Sequence, residues 1–223
     1  MIAENKEIVI NESEIIMGSV LTAEQQAQLT PDMVIDYLKK GNADYVNSRL
    51  VVRNSSSKTR DASMGQFPGA VVLSCLDSRV PVEDVFRRGI GDVFVARVAG
   101  NIVNDDILGS MEYGCKVSGA KLIMVLGHEH CGAIQSAVED VKLGNITTLL
   151  AKIRPAVEAV PGFDGARNSS NPEFLEAVCV KNVQLTIETI RKDSPVLKEM
   201  EDNGEIKIIG GVYDMKTGKV AFL

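Results

Sequence analysis

Three short aliphatic runs constrain this chain more than any other feature: residues 70–73 (AVVL), 92–95 (DVFV) and 122–126 (LIMVL). Each has the length and β-branched content of a buried strand. Helical stretches at 81–88 and 105–117 lie between them. Strands alternating with helices predict right-handed βαβ crossovers, hence an α/β fold with a mostly parallel central sheet flanked by helices. The 223 residues suit one domain, 1–223, with residues 1–50 as an N-terminal helical arm. Hydrophobic residues make up 45%, aromatics only 4%, and Trp is absent. The core must therefore be aliphatic, as a sheet buried on both faces requires.

Local signals extend the pattern. Thr30-Pro31-Asp32 reads as a helix start: a capping hydroxyl, a proline suited to the first turn and an acid that complements the helix dipole. Val34, Tyr37 and Leu38 share a face, Gly41 reads as the stop, and a second helix is expected over 44–50. The run 54–57 (NSSS) reads as a loop. Residues 131–160 are expected to be mostly helical with a break at Pro155, followed by a polar loop over 162–171. A long helix should start at Pro172, with Val180, Val183, Ile187 and Ile190 on one stripe. The closing IKIIGGVYDMKTGKVAFL predicts a C-terminal β-hairpin turning at Lys216-Thr217-Gly218.

The formal net charge is −6. An acidic balance argues against nucleic-acid or anionic-membrane partners. No apolar stretch approaches the ~18 residues of a membrane-spanning helix, and the first residues do not read as a secretory signal. The chain as written is expected to be cytoplasmic, with a periplasmic location open if a leader has been trimmed. The four cysteines, Cys75, Cys115, Cys131 and Cys179, are too few for a disulfide scaffold at this length. Cys115 and Cys179 fall in helical stretches and read as core. Arg87 and Arg88 read as a solvated or interface face.

Three candidate metal ligands sit at the carboxyl ends of predicted strands. Cys75 follows AVVLS directly, and His128 and Cys131 follow LIMVLG. In open parallel sheets, ligands bind beyond those strand ends, so two loops can converge on one ion. Two cysteines and one histidine leave a tetrahedral position open, which distinguishes catalytic from structural zinc. In the run Cys75-Leu76-Asp77-Ser78-Arg79, alternate loop positions can point the same way. Asp77 would then face the open position and Arg79 would grip it, keeping it ionised. Taken singly, a strand-end Cys reads as a small buried hydrophobe and Asp77–Arg79 as a plain structural ion pair. The coincidence of all of them at one end of the sheet is what points to a metal. His130 reads as a surface or supporting residue, with proton transfer as the minor alternative.

These residues resemble a known family. Cys75-Leu76-Asp77-Ser78-Arg79-Val80-Pro81 and Gly127-His128-Glu129-His130-Cys131-Gly132 are similar to the two signature motifs of the β-class carbonic anhydrases. The segment 91–101 (GDVFVARVAGN) resembles the family's G-D-x-F-V-x-R-N-A-G-N, and the terminal GGVYDMKTGKVAFL resembles its closing hairpin. The resemblance implies one Zn2+ per chain on Cys75, His128 and Cys131, and a dyad of Asp77 and Arg79. It also implies a substrate pocket with Gln66, Phe94 and Tyr113, lined across a dimer interface, hence a homodimer or tetramer. The implied reaction is reversible hydration of carbon dioxide to bicarbonate and a proton. Hydroxide on zinc would be the nucleophile, oriented by Asp77, which Arg79 holds. Two departures stand out. Val98 replaces a common Asn, and Val72 occupies the place of a Trp that some members use in an inhibitory bicarbonate site, so that version of the site is expected to be absent.

Three other readings remain open on the residues alone. A hydrolase of CS2 or COS could use the same metal site. A cysteine-nucleophile enzyme is disfavoured because only three residues separate Cys75 from Arg79, one of them acidic. A non-catalytic zinc protein would leave Asp77 and Arg79 without a role.

Overall fold

The aliphatic runs become strands β1 (Ala70–Ser74), β2 (Val93–Arg97) and β3 (Leu122–His128) in the computed structural model, which describes residues 20–49, 55–160 and 163–223. Of the arm expected over 1–50, residues 1–19 and 50 lie outside the described residues. With β4 (Lys207–Tyr213) and β5 (Val220–Phe222), the strands form one sheet in the order β2-β1-β3-β4-β5. β1 pairs in parallel with β2 and β3, and β3 with β4; β5 alone is antiparallel and closes the expected hairpin.

All of β1 and β3 is buried, which explains why they read as unbroken apolar runs rather than alternating ones. The pleat still sorts their side chains. Val71, Leu73, Ile123 and Val125 enter the core on one face; Ala70, Val72, Leu122, Met124 and Leu126 enter that on the other. The first face is covered by α5 (Asp105–Glu112), α6 (Gly132–Val138), α7 (Gly144–Ala151), α8 (Arg154–Glu158), α9 (Pro172–Asp193) and α10 (Pro195–Asp202). Two elements pack on the second, α2 (Pro31–Val46) and α4 (Val82–Val85). Short α1 (Ala23–Ala27) and α3 (Ser55–Ala62) complete the described helices. None of the described helices is long and apolar enough to cross a membrane.

The caps follow the sequence signals. The Thr30 side chain accepts from the Met33 N–H at 3.2 Å, and that of Asn171 from Glu173 and Phe174 at the head of α9. Along α9, Val183, Ile187 and Ile190 are buried while Val180 is half-buried. The expected helix over 105–117 is α-helical to Glu112 and widens to a π turn over Tyr113–Val117.

Four expectations are corrected. Gly41 does not stop a helix, and no second helix starts near residue 44: α2 runs through to Val46. A Cβ at Gly41 would sit 1.8 Å from the Phe86 carbonyl oxygen, so the glycine admits the backbone after α4. Helix α3 begins at Ser55 where a loop was expected; serines suit helix starts as well as loops, and Asn54 lies outside the described residues. The kink or break expected at Pro155 falls just before it, at residues 152–153 between α7 and α8, and Pro155 itself sits in the first turn of α8, where its missing N–H costs nothing. Arg88 is not solvated. Its guanidinium stacks 3.1 Å from the Tyr37 ring centroid, Nε donates to the Phe86 carbonyl at 2.7 Å and Nη2 to that of Tyr37 at 3.1 Å. Burial lowers its pKa to about 10. Arg87 is half-buried, over the Tyr45 ring.

Candidate metal centre

β1 ends at Ser74 and β3 at His128, side by side in the sheet. The chain leaving β1 presents Cys75; that leaving β3 turns through His130, at φ 53°, and reaches Cys131 at the head of α6. The ligand atoms of Cys75, His128 and Cys131 all lie within 4.8 Å of one another, and the three residues are buried. The two sulfurs are 3.8 Å apart.

The surroundings are arranged for a cation. The His128 Nδ1 lies 2.8 Å from the Glu129 carbonyl oxygen. A carbonyl can only accept, so the proton is on Nδ1 and Nε2 keeps its lone pair. That Nε2 is buried without a hydrogen-bond partner. The Gly100 N–H donates to the Cys75 sulfur at 3.3 Å. The two sulfurs are hydrogen-bonded to each other, a contact that pulls the Cys75 thiol down against burial and pushes that of Cys131 up. An orphaned imidazole nitrogen beside a ready thiolate fits a borderline-soft divalent metal, zinc above all.

Asp77 stands over this triangle, its Oδ2 3.9 Å from the His128 Nε2. Arg79 holds it at both oxygens. Nε donates to Oδ1 at 2.9 Å, Nη2 to Oδ2 at 2.7 Å, and the Arg79 backbone N–H to Oδ1 at 3.0 Å. Chiefly through the Arg79 side-chain hydrogen bonds, the Asp77 carboxyl is held well below the usual carboxylate range. Arg79 Nη2 also donates to the His130 carbonyl at 3.2 Å, linking the two ligand loops. The His130 side chain itself is exposed.

Several supporting residues were not legible as such. Arg97, at the end of β2, donates from Nε to the Cys75 carbonyl at 3.0 Å and from Nη2 to the Asp77 carbonyl. Its place inside the GDVFVARVAGN motif was the available signal. Gly100 has φ 72°, and a Cβ there would lie 2.5 Å from the Ile153 side chain. Its carbonyl accepts from the buried Asn182 of α9 at 2.8 Å. Cys179 is core, as expected, and donates to the His128 carbonyl at 3.3 Å. Burial pushes its thiol, and that of Cys115, up to about 12, so neither competes as a thiolate ligand.

The remaining sequence-nominated residues are not brought to this centre within one chain. Gln66 is exposed, four residues before β1 begins. Five strand residues, about 16 Å at ~3.3 Å each, part it from Cys75. Phe94 pairs with Val71, four residues short of Cys75. Phe94 and Tyr113 line a groove of about 700 Å³ along β2 with Val71 and Gly114, and no metal-ligand candidate borders it. Val98, where the resemblance leads one to expect Asn, packs half-buried against the first-face core. Val72 is fully buried in mid-strand.

The family model described as carbonic anhydrase matches residues 70–220. Carbonic anhydrase 2 of Mycobacterium tuberculosis (strain H37Rv) is 32% identical over 183 residues, covering 82% of this chain and 87% of that protein. The carbonic anhydrase of Mycolicibacterium smegmatis is 32% identical over 184 residues, 82% of this chain and 88% of that one. Among solved structures, a tetrameric β-carbonic anhydrase of the ascomycete Sordaria macrospora superposes with a TM-score of 0.66 at 21% identity, covering 85% of this chain and 96% of that chain.

Proposed function

The chain belongs to the carbonic anhydrase family, and from that premise we propose that it hydrates carbon dioxide reversibly at one zinc ion held by Cys75, His128 and Cys131. The observation that carries the proposal is the orphaned His128 Nε2 between two buried sulfurs, with an ionised carboxylate 3.9 Å away. Zinc, when bound, supplies the Lewis acidity that lowers the pKa of water toward ~7.

The protein's own groups do the rest. Asp77, ionised by its pair with Arg79, can only accept a hydrogen bond. It therefore selects an attacking water that still carries a proton and aims the oxygen lone pair at CO2. Arg79 keeps the carboxylate turned toward itself and off the metal triangle. Arg97 holds the Cys75–Asp77 loop by its carbonyls, so the acceptor and the ligand move as one unit. Solvent and buffer carry the product proton away.

The pocket residues support an assembled enzyme. Gln66, Phe94 and Tyr113 lie too far along the sheet to serve their own chain's centre. On a second copy they would supply a donor to a substrate oxygen and apolar walls, making the active unit a homodimer or a tetramer of such dimers. The half-buried edge strand β2 and the 55% exposure of Tyr113 support that arrangement.

Stopped-flow CO2 hydration by zinc-loaded protein, with Cys75→Ser as control, tests the reading. The expected result is turnover that tracks stoichiometric zinc and vanishes in the variant. Sulfide release from CS2 without CO2 hydration would move the site to that substrate.

A further inference from the structure

A second polar cavity, of about 510 Å³, opens on the other side of the β4–β5 turn, lined by Tyr45, Ser48, Arg49, Arg87, Tyr213 and Lys216 among others. No carboxylate is among its described lining residues. Arg49 is neutralised by Asp44 at 3.0 Å. Arg87 and Lys216 enter no ion pair among the described residues. The Arg87 Nε is buried with no hydrogen-bond partner, which at a charge-bearing group costs more than at a neutral one. The Tyr45 and Tyr213 hydroxyls, 3.4 Å apart, stand at the same wall.

Backbone strain marks the same place. Five described residues other than glycine adopt positive φ: Ser48, Arg87, Asn101, His130 and Asp140. Asn101 and His130 belong to the loops that build the metal centre. Ser48 (52°) and Arg87 (50°) line this cavity. Such conformations cost energy and persist where the surroundings require them, commonly at binding sites.

We propose that this cavity is a binding site for a small-molecule phosphate dianion, a phosphomonoester carried on an apolar or aromatic body. Two cations without an ion pair among the described residues match a dianion better than a monoanion, and an arginine with an unsatisfied N–H is suited to phosphate oxygens. The Tyr45–Tyr213 hydroxyl pair leaves one O–H free to donate. The volume lies within the range of small-molecule pockets and exceeds what a bare oxyanion needs. Val46, Met215 and the tyrosine rings offer it apolar surface. The site is separate from the position held by Val72, which contributes nothing to the lining.

Isothermal titration of the zinc-loaded full chain with phenyl phosphate, inorganic phosphate and phenol tests this. Phenyl phosphate should bind once per chain and phenol not at all. Arg87→Met should weaken binding about tenfold or more, and Lys216→Ala by a smaller factor. Lys216 sits on an exposed turn, so its variant keeps the test alive if Arg87→Met misfolds. Inorganic phosphate binding as tightly as phenyl phosphate would assign the site to the free ion. Arg87 lines this cavity and not the pocket that His128 and Cys131 border, whereas Lys216 lines both, so binding at the metal centre is indifferent to Arg87→Met. Equal affinity in wild type and both variants therefore overturns the proposal, as does absence of phosphate binding.

Discussion

The carboxyl ends of β1 and β3 and the outer edge along β2 hold the two groups of residues that the proposed chemistry combines, and they are built differently. At the strand ends the loops that carry the ligands are tied down within one chain, while the ligating His128 Nε2 is left without a partner. Arg79 holds Asp77, Arg97 holds two loop carbonyls, Glu129 holds the His128 Nδ1, and Asn182 holds the Gly100 loop. Along β2, half-buried Phe94 and exposed Tyr113 line a groove open to solvent, and Gln66, before β1, is exposed. A metal centre needs ligands fixed to within a fraction of an ångström, which one chain's hydrogen bonds can supply. A pocket wall needs only apolar surface and a donor, which a second copy can bring.

If the strand-end site is complete in its metal chemistry, Asp77→Asn should leave zinc content unchanged and lower kcat/KM by roughly 10²–10³-fold, the scale of losing one oriented polar group at the reacting centre. Zinc analysis beside stopped-flow assays reads both numbers; equal turnover would remove Asp77 from the mechanism. Arg97→Ala should be milder, about 10–100-fold in activity or metal affinity, as expected of a group that positions ligands rather than binding substrate. A chelator competition would show whether the loss lies in affinity.

The edge region yields a sharper contrast. Gln66→Ala should cut turnover about tenfold by removing one hydrogen bond with zinc retained. Mixed after dissociation and reassembly with Cys75→Ser, it should recover about a quarter of wild-type activity, because half the dimers then pair one intact ligand set with one intact Gln66. No recovery would mean that the centre does not borrow from a partner. The smallest effect is on acid titration. Asp77 has a folded-state pKa below its ordinary 3.8, so the stabilisation it shares with Arg79 is complete above that value and fades only as pH falls through the lower one. Side-chain carboxyl 13C shifts should show no Asp77 midpoint between pH 3.8 and 7 in the wild type. In Arg79→Ala the midpoint should rise toward the ordinary value; no change would detach Arg79 from Asp77.

The sequence was most legible where one physical requirement dominated. Strands buried on both faces had to be aliphatic, so β1 and β3 stood out, and α9 was marked by Pro172 at its start. It misled where one residue type serves two purposes. Gly41 resembles a helix stop, yet its lack of a Cβ admits the Phe86 carbonyl. Arg88 resembles a surface cation, yet it is buried on Tyr37 and bonded to two carbonyls. Local pattern carries no information about the Gly41–Phe86 and Arg88–Tyr37 contacts, because those partners are about 45 and 50 residues apart in sequence.

The same division runs through the metal centre. Residue type and strand position alone nominated Cys75, His128 and Cys131, since thiolate and imidazole at the ends of adjacent parallel strands have few other uses. They also nominated Asp77 with Arg79, two residues apart in one loop. What only the tertiary structure decided is which nitrogen of His128 is free, which carbonyls Arg97 grips, and that Gln66, Phe94 and Tyr113 lie along the sheet from their own chain's centre. Those facts depend on the register of β1 against β2 and β3 and on the packing of α9 behind Gly100, distances set by folding rather than by spacing along the chain.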